Sequence, residues 1–402
     1  LSANFAGALE LSGPETRTAI GSAVTFGGTT TWTNLQGGGD IAIGAGSVLT
    51  NTGSFIVTTL SPLSIRLGES GPGTFVNAGS FTKNFNNRLV LGTRFINEAS
   101  ASLDVREGLL QLIGDSQIEG NLRIDPGAAL EFGGGQHVLN NVVFGGPNVG
   151  GEIAGGRMVA RSGSVSIMAA QSGYLPGALV VDGGAVSVEG PTLLIGALEM
   201  LSGTLGGPAS IHLVREGSVW GGGTMSGTGS TGFSRVAISG NEPRFVVGRP
   251  VGFTGGATWT NEGPSGSGGG EIYVSEGGSL VNAGVFVDRT CCSSGIHDLH
   301  VGANGTFVNR NLFYKDGVSG TTELSVAFEN RSLAELRLAT GALLLSGGSQ
   351  LTGKVNVAAD ARLQLGARDG TTHELVALNG WGSEGKLGIG AGSLRSEVIR
   401  FS

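Results

Sequence analysis

Single apolar residues alternate with single polar ones over many short stretches of the chain. Ser102-Leu-Asp-Val, Asn121-Leu-Arg-Ile, Ala185-Val-Ser-Val and Lys354-Val-Asn-Val are written this way, and Ala178-Leu-Val-Val nearly so. Alternation residue by residue marks a strand with one buried face. Glycine interrupts the pattern every few residues, which would ruin a helix. Trp32, Phe55, Phe75, Phe81, Phe132 and Phe307 fall where inward-facing positions are expected. The pattern predicts an all-β chain of many short strands, with little or no α-helix.

The pattern also repeats. Thr31-Trp-Thr-Asn34 returns as Thr258-Trp-Thr-Asn261, and Gly73-Thr-Phe-Val-Asn77 as Gly305-Thr-Phe-Val-Asn309. Phe95-Ile-Asn97 matches Phe328-Glu-Asn330, and Ser116-Gln117 with Gly120 matches Ser349-Gln350 with Gly353. The matches lie 227, 232, 233 and 233 residues apart, a drift that loop insertions accommodate. Residues 1–233 therefore read as one unit, with Asn-bearing coils over about 30–130 and glycine-rich coils over about 131–233. Residues 234–402 read as a second, truncated copy continuous with the first.

A shorter period runs inside each copy. Asn34, Asn51, Asn77 and Asn97 are spaced by 17, 26 and 20 residues. Asn261, Asn282, Asn309 and Asn330 are spaced by 21, 27 and 21. Asn tolerates a left-handed backbone better than most residues, so these eight are expected to stack as turn residues at one corner of successive coils, with side-chain amides bonding along the stack in each copy. A period of this length is that of a solenoid. With period-two strands it predicts a parallel β-helix of about 18 coils, a rod on the order of 85 Å at the ~4.8 Å strand spacing. The stretch around 140–250 keeps the texture, through Leu201-Ser-Gly-Thr-Leu and Met225-Ser-Gly-Thr-Gly, but lacks the Asn series.

Composition narrows the class. Of 402 residues 76 are glycine, and only 14% are charged. Mean hydropathy is +0.17, which excludes ordinary disorder. Eleven prolines without a strict third-residue glycine exclude collagen. Net charge is −7, so there is no basic footprint for nucleic acid. No apolar run is long enough for a membrane helix. The chain has no initiator Met and no charged segment leading into an apolar one, so it reads as a mature or excised piece. Only Lys83, Lys315, Lys354 and Lys386 are lysine against 20 arginines, a bias that fits a GC-rich bacterial genome.

Three phrases carry a resemblance: Gly73-Thr-Phe-Val-Asn-Ala-Gly-Ser-Phe81, Trp220-Gly-Gly-Gly-Thr-Met-Ser-Gly-Thr-Gly and Gly341-Ala-Leu-Leu-Leu-Ser-Gly-Gly. They are similar to the glycine- and asparagine-rich repeats of bacterial secreted and surface proteins, namely autotransporter passenger domains and filamentous-haemagglutinin-like adhesins. The resemblance covers nearly the whole chain and implies a right-handed parallel β-helix, extracellular or at the cell surface. It says little about activity, because such repeats carry many roles. The Asn-Pro motifs of the haemagglutinin secretion domain and a terminal β-barrel are both missing from this sequence.

One cluster is chemically pointed: Cys291-Cys292-Ser-Ser-Gly-Ile-His297-Asp-Leu-His300. Thiols and imidazoles so close together suit zinc or copper, yet adjacent cysteines rarely both face one ion. The matching loop of the first copy, Thr58 to Arg66, has neither residue type. A vicinal disulfide stiffening a loop, or thiols offered to a neighbouring chain, are the alternatives. Asp182, Glu189, Glu199 and Glu216 are candidate carboxylates for glycoside chemistry, although no basic constellation accompanies them. Gly221-Gly-Gly-Thr-Met-Ser-Gly-Thr-Gly lacks the Lys-Ser/Thr of a phosphate loop. No catalytic residue and no cofactor are expected.

The leading functional expectation is a structural, adhesive rod of a secreted or surface protein, able to polymerise into an extracellular fibre. Its partners would be further solenoid repeats or copies of itself end to end, with surface glycans or a neighbouring cell surface as targets. Strand-like sequence at both ends, Phe5-Ala-Gly-Ala-Leu and Leu394-Arg-Ser-Glu-Val, fits a segment of a longer solenoid. The rival is a polysaccharide-binding or polysaccharide-cleaving β-helix, a lyase, a hydrolase or a phage-type glycan binder. An acidic groove with aromatic platforms would favour that rival. The chain has three Tyr and four Trp, and Trp32 and Trp259 are repeat-equivalent.

Overall fold

Short runs of alternating residues bury every second side chain, and each run pairs in parallel with the matching run one coil later. In the computed structural model 64% of the chain is strand, arranged as a parallel β-solenoid of about 16 turns. The structure describes residues 2–34, 39–59, 61–69, 71–145, 148–149, 152–153, 155–168, 173–260, 270–290, 293–302, 304–316, 320–366, 372–376, 386–389 and 393–398. No helix occurs among them, so none is long and apolar enough to cross a membrane. The turn count falls below 18 because many coils are long. Paired residues are 20 apart at Asn77 and Asn97, but 29 apart at Phe253 and Asn282.

Two compact units divide the chain, Leu1–Gly196 and Ala197–Ser402. In unit 1 a coil consists of Val48–Asn51, Ser54–Val57 and Leu63–Leu67, after which Thr74–Asn77 pairs back onto Val48–Asn51. Register is kept across the coils, so equivalent residues form columns. One interior column runs Phe55, Phe81, Leu103, Leu122, and another Leu49, Phe75, Phe95. Phe55, Phe75, Phe81 and Phe95 are fully buried and pack ring on ring at 5.5–6.1 Å between centroids. Several strands bend round a corner and continue, as Ser80–Leu91 does, with register shifts at Lys83/Asn84 and Asn84/Arg88.

Unit 2 repeats this plan. Phe286 pairs with Phe313, and Leu280, Phe307 and Phe328 stack beside them, all fully buried. Phe286 lies 5.3 Å from both Phe307 and Phe313. Unit 2 begins ahead of the sequence junction at 233, so it holds glycine-rich coils as well as the second copy.

The corner after Asn51, Asn77 and Asn282 is made by glycine two residues on. A Cβ on Gly53 would sit 2.1 Å from the Gly28 carbonyl oxygen, and one on Gly79 would sit 2.1 Å from that of Gly53. Backbones of successive coils meet there too closely for any side chain. The left-handed role expected of Asn is thereby corrected. The non-glycine residues of positive φ among the described ones are Asn141, Glu276 and His300, and none of the seven described members of the Asn series is one.

Candidate functional site

Three asparagines of each copy occupy one buried column. Asn51, Asn77 and Asn97 are in register, each 0% exposed. Asn51 Nδ2 donates to Asn77 Oδ1 at 2.7 Å, and Asn77 Nδ2 donates to Asn97 Oδ1 at 2.6 Å. The second proton of each Nδ2 meets a backbone carbonyl, Ser80 O and Ser102 O respectively, at 2.9 Å. Asn97 ends the series by donating to Glu119 O at 2.6 Å. Asn282, Asn309 and Asn330 form the same chain, with both amide–amide bonds at 2.8 Å. At the head of each ladder an acceptor, Asn51 Oδ1 or Asn282 Oδ1, has no hydrogen-bond partner among the described residues. The preceding coil offers only Phe26 or Phe253 there.

Asn34 stands outside this column. It follows Trp32 by two residues, and its backbone carbonyl accepts Thr59 Oγ1 at 3.0 Å. A spacing of 17 residues to Asn51 is too short for a coil, since the residue paired with Asn51 is Phe26, 25 positions earlier. Asn261, Cys291 and Cys292 lie outside the described residues.

The histidines of the candidate metal cluster face different carboxylates. His297 Nε2 lies 3.5 Å from Glu271 Oε1, and His300 Nδ1 lies 3.6 Å from Asp298 Oδ1. His297 and Asp298 are neighbours on one strand, Ser294–Asp298, and so point to opposite faces. Among the described residues no three His, Cys, Asp or Glu side chains converge to hold a metal. Glu271 also accepts the Tyr273 hydroxyl, which pushes the Tyr273 pKa up to about 12. Phe245, Tyr273 and His297 are register partners on the outward face. The first copy has the same device in simpler form: Asp40 pairs with Arg66 at 3.5 Å, and Ala42 stands where Tyr273 does. Phe245 and Tyr273 stack at 5.3 Å and 19°, so each ring gives one face to the other.

Three of the other acidic candidates have partners of their own. Asp182 pairs with Arg161 at 2.7 Å, Glu189 accepts Ser187 Oγ at 2.7 Å, and Glu216 pairs with Arg235 at 3.3 Å. Asp182 and Glu189 belong to unit 1, whereas Glu199 and Glu216 belong to unit 2.

The most developed polar chemistry is interior, and sequence reading had not singled it out. In unit 2 the column Trp259, Asp288, Lys315, Leu338 carries a carboxylate under an ammonium. Lys315 Nζ lies 3.2 Å from Asp288 Oδ2, with side chains 1% and 0% exposed. Thr290, Ser294 and Thr322, all buried, surround them. The matching column of unit 1 is Trp32, Val57, Lys83, Val105, where the lysine has no facing carboxylate. Lys83 Nζ instead donates to the carbonyls of Phe85 and Glu107, and burial pulls its pKa down to about 8. Arg249 is similar: all its nitrogens donate to Thr231 Oγ1 and to the carbonyls of Gly207, Ser226, Ala209 and Ser230, and burial lowers its pKa to about 10. Each copy also buries a serine–histidine pair, Ser116–His137 and Ser349–His373, both at 2.9 Å. The clue in the sequence was that Lys83 and Lys315 are two of only four lysines and hold equivalent places before the solenoid column.

No protein-family model matches the chain, and neither a curated protein nor a solved structure matches it.

Proposed function

We propose that the chain is a structural, adhesive element of a secreted or cell-surface bacterial protein. The observation that carries this reading is that both copies fill the same corner with an amide ladder and the same interior with stacked phenylalanine. Each device ties one coil to the next, and each is repeated where the sequence repeats. Bonds between neighbouring coils resist force applied along the stack, since separating coils breaks a whole row of strand hydrogen bonds together. The quoted likeness to passenger-domain and haemagglutinin-like repeats points the same way. Polysaccharide cleavage has less support, because Phe245 and Tyr273 stack on one another and three of the candidate carboxylates are held by partners of their own.

Single-molecule pulling between the two termini tests the reading. A load-bearing solenoid gives a series of force peaks, each releasing a coil or a small group of coils. Smooth extension at the low force of an unstructured chain would overturn it.

A further inference from the structure

We propose that Lys315 and Asp288 are a site of autocatalytic amide formation, a covalent cross-link between two neighbouring coils of unit 2. The inference deepens the load-bearing reading and rests on the arrangement around one carboxyl group. Asp288 Oδ1 accepts two hydrogen bonds from a single residue, from Thr290 N at 3.0 Å and from Thr290 Oγ1 at 2.8 Å. Ser294 Oγ in turn donates to Thr290 Oγ1 at 2.7 Å and fixes that hydroxyl. Asp288 Oδ2 has a different surrounding: Lys315 Nζ at 3.2 Å and Thr322 Oγ1, which donates to it at 2.6 Å. Lys315 Nζ also donates to Thr322 Oγ1 at 2.8 Å.

These contacts assign a role to each atom. Lys315 first passes one proton to Asp288 Oδ2, leaving a neutral amine beside a carboxylic acid. Its lone pair then attacks Asp288 Cγ. Negative charge gathers on Oδ1, where the Thr290 N–H and hydroxyl are already aimed, as in an oxyanion hole. A second proton leaves the nitrogen for Thr322 Oγ1, while the Thr322 hydroxyl gives its own proton to Oδ2. Oδ2 departs as water, the Nζ–Cγ bond remains, and the third hydrogen stays on the amide nitrogen. An ammonium and a carboxylate have become an amide and one water, with no other reactant.

Burial supplies the driving force. An ion pair withdrawn from water keeps an unrecovered desolvation cost, and a neutral amide carries none of that charge. The equivalent column of unit 1 is an internal control, because Val57 stands where Asp288 does and Lys83, which donates to the carbonyls of Phe85 and Glu107, has no carboxyl group in its own column.

Intact-mass measurement of the whole chain, reduced and denatured, is the test. The wild-type protein is expected one water lighter than its sequence mass, with tryptic peptides bearing Lys315 and Asp288 joined and no cleavage after Lys315. Asp288→Ala and Lys315→Met should each restore the full mass, Lys83→Met should keep the one-water deficit, and Thr322→Val should leave a fraction uncoupled. Wild-type protein at full mass overturns the proposal whether or not the variants fold. A one-water deficit without a Lys315–Asp288 linked peptide overturns it equally. Full mass together with sequential force peaks would sink the cross-link and leave the load-bearing reading standing.

Discussion

A carboxamide both donates and accepts, and this makes asparagine suited to stacking at a fixed interval along a solenoid. Asn77 shows the full use of the group: its Oδ1 accepts from Asn51, and its Nδ2 donates to Asn97 and to the carbonyl of Ser102. Nothing shorter or charged could bridge coils in both directions there. Replacing Asn77 by Leu leaves the Asn51 donor, the Asn97 acceptor and the Ser102 carbonyl short of a partner. The expected cost is about 1–3 kcal/mol, the range for stranding buried polar groups. Chemical denaturation of the N77L variant checks this, and an unchanged midpoint would show that the ladder contributes nothing. The head of each ladder tells the complementary story, since Asn51 Oδ1 and Asn282 Oδ1 meet Phe26 and Phe253 instead of a donor.

Among the elements, what the sequence discloses is the strand and the column, and what it hides is the chemistry within a column. Alternation in Ser102-Leu-Asp-Val gives the strand because burial is periodic, and Leu103 and Val105 are indeed the buried pair. The ladder was legible because Asn recurs at coil spacing, although Asn34 misled: its 17-residue spacing to Asn51 is shorter than a coil, and the column position before Asn51 belongs to Phe26. The pairing of Asp288 with Lys315 was not legible, because 27 residues separate them and only the register brings them together. The same column predicts a pH effect in unit 1. Lys83 has a folded pKa of about 8, below its ordinary 10.5. Between these values the unfolded chain holds a proton that the native one lacks, so native stability rises with pH across that window. Relative to a Lys83→Met variant, the wild-type melting temperature should therefore climb between about pH 8 and 10.5. A difference that stays flat over that range would show that Lys83 keeps its ordinary pKa in the fold.

At the scale of the whole chain the two units carry the same interior twice, built around Phe55–Phe75–Phe81–Phe95 and around Phe286–Phe307–Phe313–Phe328. In a solenoid each coil touches mainly its neighbours, so stability is a sum of local coil terms and need not be uniform along the chain. Coils that combine stacked rings with an amide ladder are the ones expected to open least, whereas the glycine-rich coils around Gly221-Gly-Gly bury Trp220, Met225 and Phe233 without an Asn ladder. Native-state hydrogen exchange should accordingly reveal two blocks of slow amides. One is expected over Val48–Leu112 and the other over Ser279–Leu345, with faster exchange between Ser202 and Gly240. Slow exchange in both blocks follows from the duplicated interior and not from chain position, so Asn77 and Asn309 should rank alike. Their amides lie at equivalent points, each on a strand whose neighbours on both sides are ladder strands. Removing one interior should then speed exchange locally. Phe313→Ala, expected to cost about 3–5 kcal/mol, should abolish the second block and leave the first intact. If both blocks lost protection together, the coils of the two copies would be unfolding as one cooperative body, and the local account of their stability would fail.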